Sequence, residues 1–569
     1  MTGKERLQFP RGLLWIAVID EDITLVPVSS LANLTPQKVI TGLVFLAGVI
    51  AAPILTNQFL AGDYLPVIAV VSAIGAVFCL TYLGKQCWVL MPAFLGLNGR
   101  LNFLPASLSM IETAILISLL FLLYQTVFEK SMSINFGPAW IWVPAILFLS
   151  IIAYHWVRSG DIGLRLFGGE NFGGRKNWSL LLGFLAMPIL YSMVKPRDPL
   201  LRKVPLLYFI MVAADFLPFL ISTAVPAVAP YIYRFYSSVN LDAFQDTLYG
   251  SFGGVDLVRI GNIGFFATAA QITMLSYFPA NLWLRPKNWW CFVASLICLL
   301  ATIFSGFRSY LFRYMVTWLV AGFSASRWLV ILFVPFAAMT LFLLVAAQGT
   351  YIHLPLAMQR TLSPLPGKWD AVALDSASGS SKWRETMKRV YWSEYADKAG
   401  WFGAGMTYSR NLTLEGIEDF YLKRQRMAFE NELAEARSFI ERRQPHEGFL
   451  DVHYPTGWVG TGLLIFFFVT TSFYVLRNIY DTRGSEMTPE GIWVCSLTLI
   501  ETLSYFTVYG DLSIALPRLF ILIPLAVRSF EKVNPQGPPL MLRHRSRRAL
   551  FEPEKPREVD LASPDTFPA

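Results

Sequence analysis

Apolar residues gather in stretches of about twenty that recur from about residue 39 to about residue 529, separated by short polar or charged connections. At 1.5 Å of rise per helical residue, each stretch is long enough to cross a hydrocarbon layer of roughly 30 Å. The pattern predicts helical spans near 39–57, 64–84, 103–127, 136–157, 178–194, 204–224, 257–283, 289–305, 309–325, 327–348, 456–477, 490–508 and 512–529. Between them, Trp88 to Leu97 is too short to span and holds Pro92, which fits a re-entrant or interfacial piece.

Short loops rich in Lys and Arg stay on the cytoplasmic side. Lys195 to Lys203, Arg285-Pro-Lys287, Arg477 to Arg483 and the tail around Arg543-His-Arg-Ser-Arg547-Arg548 agree on one orientation. That orientation puts 349–455 outside, with the short turn that holds Arg308 and the loop before Arg259. The expected organisation is an N-terminal segment 1–38, ten spans within 39–348, an external loop 349–455, further spans within 456–530 and a disordered cytoplasmic tail 531–569. The fold class expected is an all-α polytopic membrane protein of about 12–13 transmembrane helices, with one large, partly helical external loop. Strict alternation would leave Met1 outside, whereas Lys4, Arg6 and Arg11 argue for inside.

Within the external loop, Ser376-Ala-Ser-Gly-Ser-Ser381 reads as a flexible polar stretch. Tyr421 to Arg443 reads as a charge-rich helix whose Leu422, Met427, Leu433 and Phe439 could face a partner surface.

Composition strengthens the membrane assignment: 54% of the residues are hydrophobic and 15% charged, against about 25% charged in soluble chains. The five cysteines lie in or beside apolar runs with no CxxC and no Cys/His pairing, so neither a disulfide framework nor a zinc site is expected. The net charge of +8 is the usual cytoplasmic anchoring charge of such a chain, and nucleic acid is not an expected partner. No HExxH, P-loop or dinucleotide-binding glycine pattern occurs. Metal-independent chemistry is therefore expected, and Asp20-Glu-Asp22 reads first as a solvated acidic cluster.

Ionisable residues inside or at the mouths of spans are costly and default to functional roles. Arg259, Arg308, Arg518, His155 and Asp215 meet that description, and the arginines and the histidine fall on the outer face. Five short motifs occur in order along the chain. They are Arg259-Ile-Gly-Asn-Ile-Gly264, Ser305-Gly-Phe-Arg308-Ser309, Trp383-Arg384-Glu-Thr-Met387, Trp401-Phe-Gly403-Ala-Gly405, and His446-Glu-Gly-Phe-Leu450 with Gly457 and Gly460 eleven and fourteen residues after the histidine.

Across residues 255–477 these motifs resemble the O-antigen ligase and O-antigen polymerase superfamily of bacterial envelope glycan transferases. Its members carry R-x-x-G, S-R-G/A, W-R-x-x-M, L-L-G-x-G and H-N-x-x-L elements in this order. Glu447 stands where that pattern has Asn, Lys388 where a Trp is common, and Ser380 in place of an S-G-R arginine.

The resemblance implies transfer of an undecaprenyl-diphosphate-linked glycan to an acceptor at the periplasmic face of the inner membrane. The acceptor would be a lipid A core or another glycan, and a protein acceptor is not excluded. His446 would be the general base; Arg308, Arg384 and Arg259 would clamp the diphosphate. Glu447 could orient His446 or bind sugar hydroxyls, and Trp383, Trp401 and Trp458 could stack on sugar rings or sit in an interfacial belt. His453 is the rival histidine, expected in the same surface. The chemistry suits these residue types, because guanidinium groups make planar, charge-assisted, bidentate bonds to phosphate and a neutral imidazole can accept a hydroxyl proton near pH 7. A transporter or flippase of lipid-linked glycans is the alternative, and it would place charge deep in many spans and show inverted repeats.

Overall fold

In the computed structural model the contacts divide the chain into two units, 1–84 and 85–569. The residues described are 75, 82–101, 108–159, 175–237, 261–325, 327–406, 432–441, 447–482, 487–507 and 510–531. The segment 1–38, the stretches 39–57 and 64–84 apart from a few residues, Asp20 to Asp22 and the tail after 531 thus lie outside the described residues. The six spanning segments and the two cavities described below lie in the second unit.

Its helices are α1 (Leu90–Phe94), α2 (Met110–Val127), α3 (Ala139–Ser159), α4 (Arg175–Met193), α5 (Val204–Ala224), α6 (Ala229–Phe235), α7 (Gly261–Tyr277), α8 (Trp290–Phe304), α9 (Arg308–Ala325) and α10 (Arg327–Ala347). After them come α11 (Leu356–Leu362), α12 (Ala371–Glu394), α13 (Ala396–Ala399), α14 (Glu432–Glu441), α15 (Gly448–Asp481), α16 (Pro489–Thr507) and α17 (Leu512–Phe530). The one two-stranded pairing among the described residues is Arg100–Leu101 against Tyr236–Ser237, with isolated bridges from Arg100 to Ser109 and from Gln348 to Ile352. Six of these helical segments are long and apolar enough to cross a membrane: Met110–Val127, Ala139–Arg158, Pro199–Ala224, Pro286–Phe304, Gly448–Asp481 and Leu512–Phe530. The protein is an all-helical, multi-pass membrane protein.

The helix α17 sits at the centre of the bundle. Its apolar window is 72% buried, against 28–39% for the other five. It packs on α4, α15 and α16 through Leu516, Leu519, Phe520 and Ile523. The approach to α4 is close because Gly183 faces Pro517, where a β-carbon would stand only 2.8 Å away. Outward faces carry Leu147, Val293, Phe342 and Phe473, large apolar side chains left exposed as a lipid-facing surface requires.

The two ends of the bundle differ chemically. At one end the basic connections gather: Tyr277 Oη donates to the Arg202 carbonyl (2.5 Å), and the Arg197 N–H donates to the Arg528 carbonyl (3.0 Å). At the other end lie the close of α8, the start of α9, the close of α16 and the start of α17, and there the segment after α10 folds over them. Thr361 Oγ1 donates to the Ile303 carbonyl (3.1 Å), and Leu354, Met358 and Leu362 pack on Leu299, Ile303 and Tyr314.

Contrary to the expectation from its composition, Ser376 to Ser381 is not a flexible stretch but lies inside the 24-residue α12. The Asp370 carboxylate caps the helix by accepting the Val372 N–H (2.9 Å), and Ser378 and Ser381 turn their hydroxyls back onto helix carbonyls. Ala373, Ala377, Met387, Val390 and Tyr391 supply a buried stripe at helical spacing, so packing overrides the weak propensity of serine and Gly379. In the charge-rich segment the helix is described over 432–441, where Ala436 and Ile440 make the buried face and Leu433 is exposed. Leu422 and Met427 lie outside the described residues.

The long α15 is two helices joined at Gly457, whose φ of +64° and ψ of −166° break the spiral. A short helix 448–456 therefore precedes the spanning part. Glycine is required at the break, because a β-carbon would overlap the backbone of Trp401 and the left-handed φ would strain any other residue.

Candidate active site

Where the loop segment meets the bundle, a cavity of about 640 Å³ opens. Five arginines from four elements line it: Arg308 and Arg313 from α9, Arg360 from α11, Arg384 from α12 and Arg518 from α17. Glu501 of α16 and Asp511, the N-cap of α17, are its acids. Guanidiniums thus exceed carboxylates by three, in a wall completed by Tyr310, Tyr505, small hydroxyl residues and the apolar Phe307, Phe312, Ile514 and Ala515.

The arginines divide into two sets. Arg518 contacts Glu501 at 3.1 Å and Arg313 approaches the same carboxylate oxygen at 3.8 Å, so one buried acid joins α9, α16 and α17. Arg518 also donates to Asn98 Oδ1 (2.7 Å). Arg308 and Arg384 form no ion pair among the described residues; Arg308 Nη2 donates to the Ser363 hydroxyl (3.0 Å). Partial burial and the Arg384 charge lower the Arg308 guanidinium below its ordinary range. Two like charges thus influence each other in the cavity wall, neither in an ion pair with a described carboxylate.

The local sequence explains this placement. Gly306, at φ +77°, lets the chain turn between α8 and α9, and the Ser305 hydroxyl accepts the Phe307 N–H (3.3 Å). Arg360 Nη1 donates to the Gly306 carbonyl (2.8 Å), which fixes α11 to the turn that presents Arg308. The helix α12 carries Ser381 and Arg384 into the same wall.

Of the residues singled out from the sequence, Arg308 and Arg384 are brought together, and Arg518 joins them. Arg259 and His446 lie outside the described residues. Trp383 does not line the cavity. Next to Arg384 it points about 100° away around the helix, and it packs edge-on against Phe439 at 5.4 Å. Glu447 does not line it either: its carboxylate caps α15 by accepting the Leu450 N–H (3.0 Å) and pairs with Lys388 at 3.3 Å. His155 donates from Nε2 to the Phe402 carbonyl (2.7 Å), which ties α3 to the loop. Asp215 accepts the Tyr236 hydroxyl (2.5 Å). His453 is fully buried rather than part of a surface. It shares a 2.5 Å hydrogen bond with Tyr391 and lies against Phe449, Trp392 and Trp458; burial lowers its pKa. Sequence reading passed over Arg313, Arg360 and Glu501. A charge within the apolar runs of α9 and α16 was the available signal for the first and the last.

Beside the cavity, Asp451 of the short helix is buried and accepts the Leu512 N–H (2.6 Å). Burial and then the nearby Asp511 raise its pKa from 3.8 to about 7, while Lys176, the Leu512 N–H and Tyr505 pull the other way. The native state thus holds this proton where the unfolded chain has lost it. Stability from this group is expected to fall as pH rises from about 4 through about 7 and to level off above. Asp451→Asn keeps the acceptor oxygen and should flatten that decline. Melting temperatures of both proteins in detergent between pH 4 and 8 check this, and parallel profiles would refute it.

Among the described residues no group of three or more His, Cys, Asp or Glu side chains converges as a metal-holding cluster. Compared with family models, curated proteins and solved structures, the chain finds no match.

Proposed function

We propose that the protein is a membrane-embedded inverting glycosyltransferase. It would move an undecaprenyl-diphosphate-linked glycan onto a lipid A core or a second glycan at the periplasmic face of the inner membrane. The observation that carries this reading is the pair Arg308 and Arg384, two guanidiniums without a carboxylate partner among the described residues, in a cavity with surplus positive charge. Such a site is electrostatically incomplete until a dianion enters, and a diphosphate supplies one with the oxygens that guanidinium groups bind best. The cavity sits at the end of the bundle opposite the basic connections, which the positive-inside rule assigns to the periplasm.

In this reading an acceptor hydroxyl oxygen attacks the anomeric carbon from the face opposite the leaving group, and the bond from that carbon to the phosphate oxygen breaks. The electron pair goes to the diphosphate, whose growing charge Arg308 and Arg384 stabilise. The hydroxyl proton goes to His446, the residue that the motif resemblance supplies as base. His446 directly precedes Glu447 in the chain, and Lys388, one turn along α12 from Arg384, pairs with Glu447. The residues required for these steps all belong to the chain itself.

The test is transfer by the purified protein from a synthetic polyprenyl-diphosphate oligosaccharide to an acceptor glycan. A covalent product is expected, and His446→Ala should lower turnover by about 10² to 10⁴ with donor binding kept. Movement of intact donor across vesicle membranes with no product would instead establish a flippase.

A further inference from the structure

A second hollow, separate from the arginine cavity, has a volume of about 480 Å³ and is lined by Ala396, Asp397, Gly400, Trp401 and Trp458. We infer that it binds a pyranose ring of a glycan, with the ring stacked against the two indoles and its hydroxyls donating to the Asp397 carboxylate. The ligand class is taken from the proposed function; the geometry stands by itself.

The hollow is built by backbone pairing between two segments far apart in the chain. Gly400, at φ +53°, ends α13, and its carbonyl accepts the Trp458 N–H (3.2 Å). The Trp401 carbonyl accepts the Val459 N–H (3.0 Å), while the Ala404 and Gly405 N–H groups donate to the Tyr454 and Pro455 carbonyls (2.8 and 3.1 Å). The loop is thereby laced to the helix break at Gly457, and Trp401 and Trp458 come to flank one space. Trp458 is also held from behind: the His453 ring meets it edge-on at 4.4 Å, and Trp392 and Phe449 lie at 6.2 and 6.0 Å. Its indole is ordered before any ligand arrives, which spares the ligand that entropic cost.

Two indoles this exposed, 71% for Trp401 and 46% for Trp458, are a surface left open at a cost. A sugar ring matches it, because its C–H face is apolar and its rim carries hydroxyl donors. A phospholipid matches it poorly. Asp397 would repel a phosphate headgroup and is itself costly to bring into a bilayer. The neighbouring Lys398, which could have attracted that headgroup, lies over the Tyr395 ring at 4.6 Å. The placement suits an extended chain: Arg384 in the cavity wall and Trp392 behind Trp458 lie eight residues apart on α12, about 12 Å along its axis. A glycan whose diphosphate occupies the cavity can run toward the hollow.

The experiment uses the full chain in nanodiscs, labelled with 5-fluorotryptophan, with the fluorine resonances of Trp401 and Trp458 assigned through Trp401→Phe and Trp458→Phe. Free maltohexaose, cellohexaose and chitohexaose are titrated in. At least one should shift both resonances saturably, with affinity lowered about tenfold by Trp401→Ala and by Asp397→Asn and left unchanged by Arg308→Ala. No shift with any of the three, or affinity untouched by Trp401→Ala, would overturn the proposal. So would strong broadening of both resonances by nitroxide-labelled phospholipid, since it would place the indoles in the lipid. Shifts in a protein that shows no transfer would leave this site standing and remove the transferase reading. Transfer without shifts would do the reverse.

Discussion

Arg308→Ala and Arg384→Ala are each expected to lower the proposed glycan transfer by about 10² to 10³, the usual loss when one preorganised donor to a developing anion is removed. Because a diphosphate is charged before and after the bond breaks, part of each arginine's contribution is uniform binding and should appear as weaker donor affinity. Lysine at either position keeps the charge but loses the bidentate fork, so rescue should be partial. The double alanine variant should lose less than the product of the two single losses, since the guanidiniums repel each other when the cavity is empty. Initial rates and donor titrations measure all of this. Single variants with wild-type rates and affinities would remove the diphosphate clamp, and with it the observation on which the functional proposal rests.

Glu501→Ala should produce the largest loss of stability among the cavity residues. The carboxylate is buried between Arg518 at 3.1 Å and Arg313 at 3.8 Å, and its removal strands two guanidiniums that share it as their ion-pair partner. Breaking a buried ion pair by deleting one partner costs about 3 kcal/mol or more. The penalty should be relieved in part by Glu501→Leu combined with Arg518→Met, which removes one of the stranded charges and restores apolar packing. Thermal unfolding of the detergent-solubilised proteins decides the matter. A Glu501→Ala protein that melts with the wild type would mean the three charges are solvated and contribute little.

These two expectations draw on unequal amounts of the sequence. The spanning helices were legible because the apolar runs are long and their ends are marked by charge, as in Ala139–Arg158 and Leu512–Phe530. Arg308 and Arg384 were legible because each sits in a short motif beside a turn or an aromatic residue. The Arg313–Glu501–Arg518 group was not, since its members come from three helices and 188 residues separate the first two in the chain. Only packing reveals that they share a partner. Trp383 and Glu447 show the opposite limit: adjacency to a site residue in sequence carries no direction in space. One helical step turns Trp383 onto Phe439, and the demands of the start of α15 hold Glu447 as a cap. The serine-rich part of α12 misled for a related reason, as its helix is held by the buried stripe from Ala373 to Tyr391 rather than by local preference.

The pair Arg308 and Arg384 in the cavity wall also bears on the release of product. In the donor, both ends of the diphosphate are esterified; once the glycan has left, one terminal phosphate is free and takes on additional negative charge near neutral pH. Arg308 and Arg384 would therefore grip the spent carrier more tightly than they gripped the loaded one. On the proposed reading, clearance of the carrier lipid sets the pace of the cycle, and any reaction that strips a phosphate from it in the same leaflet would pull this protein forward.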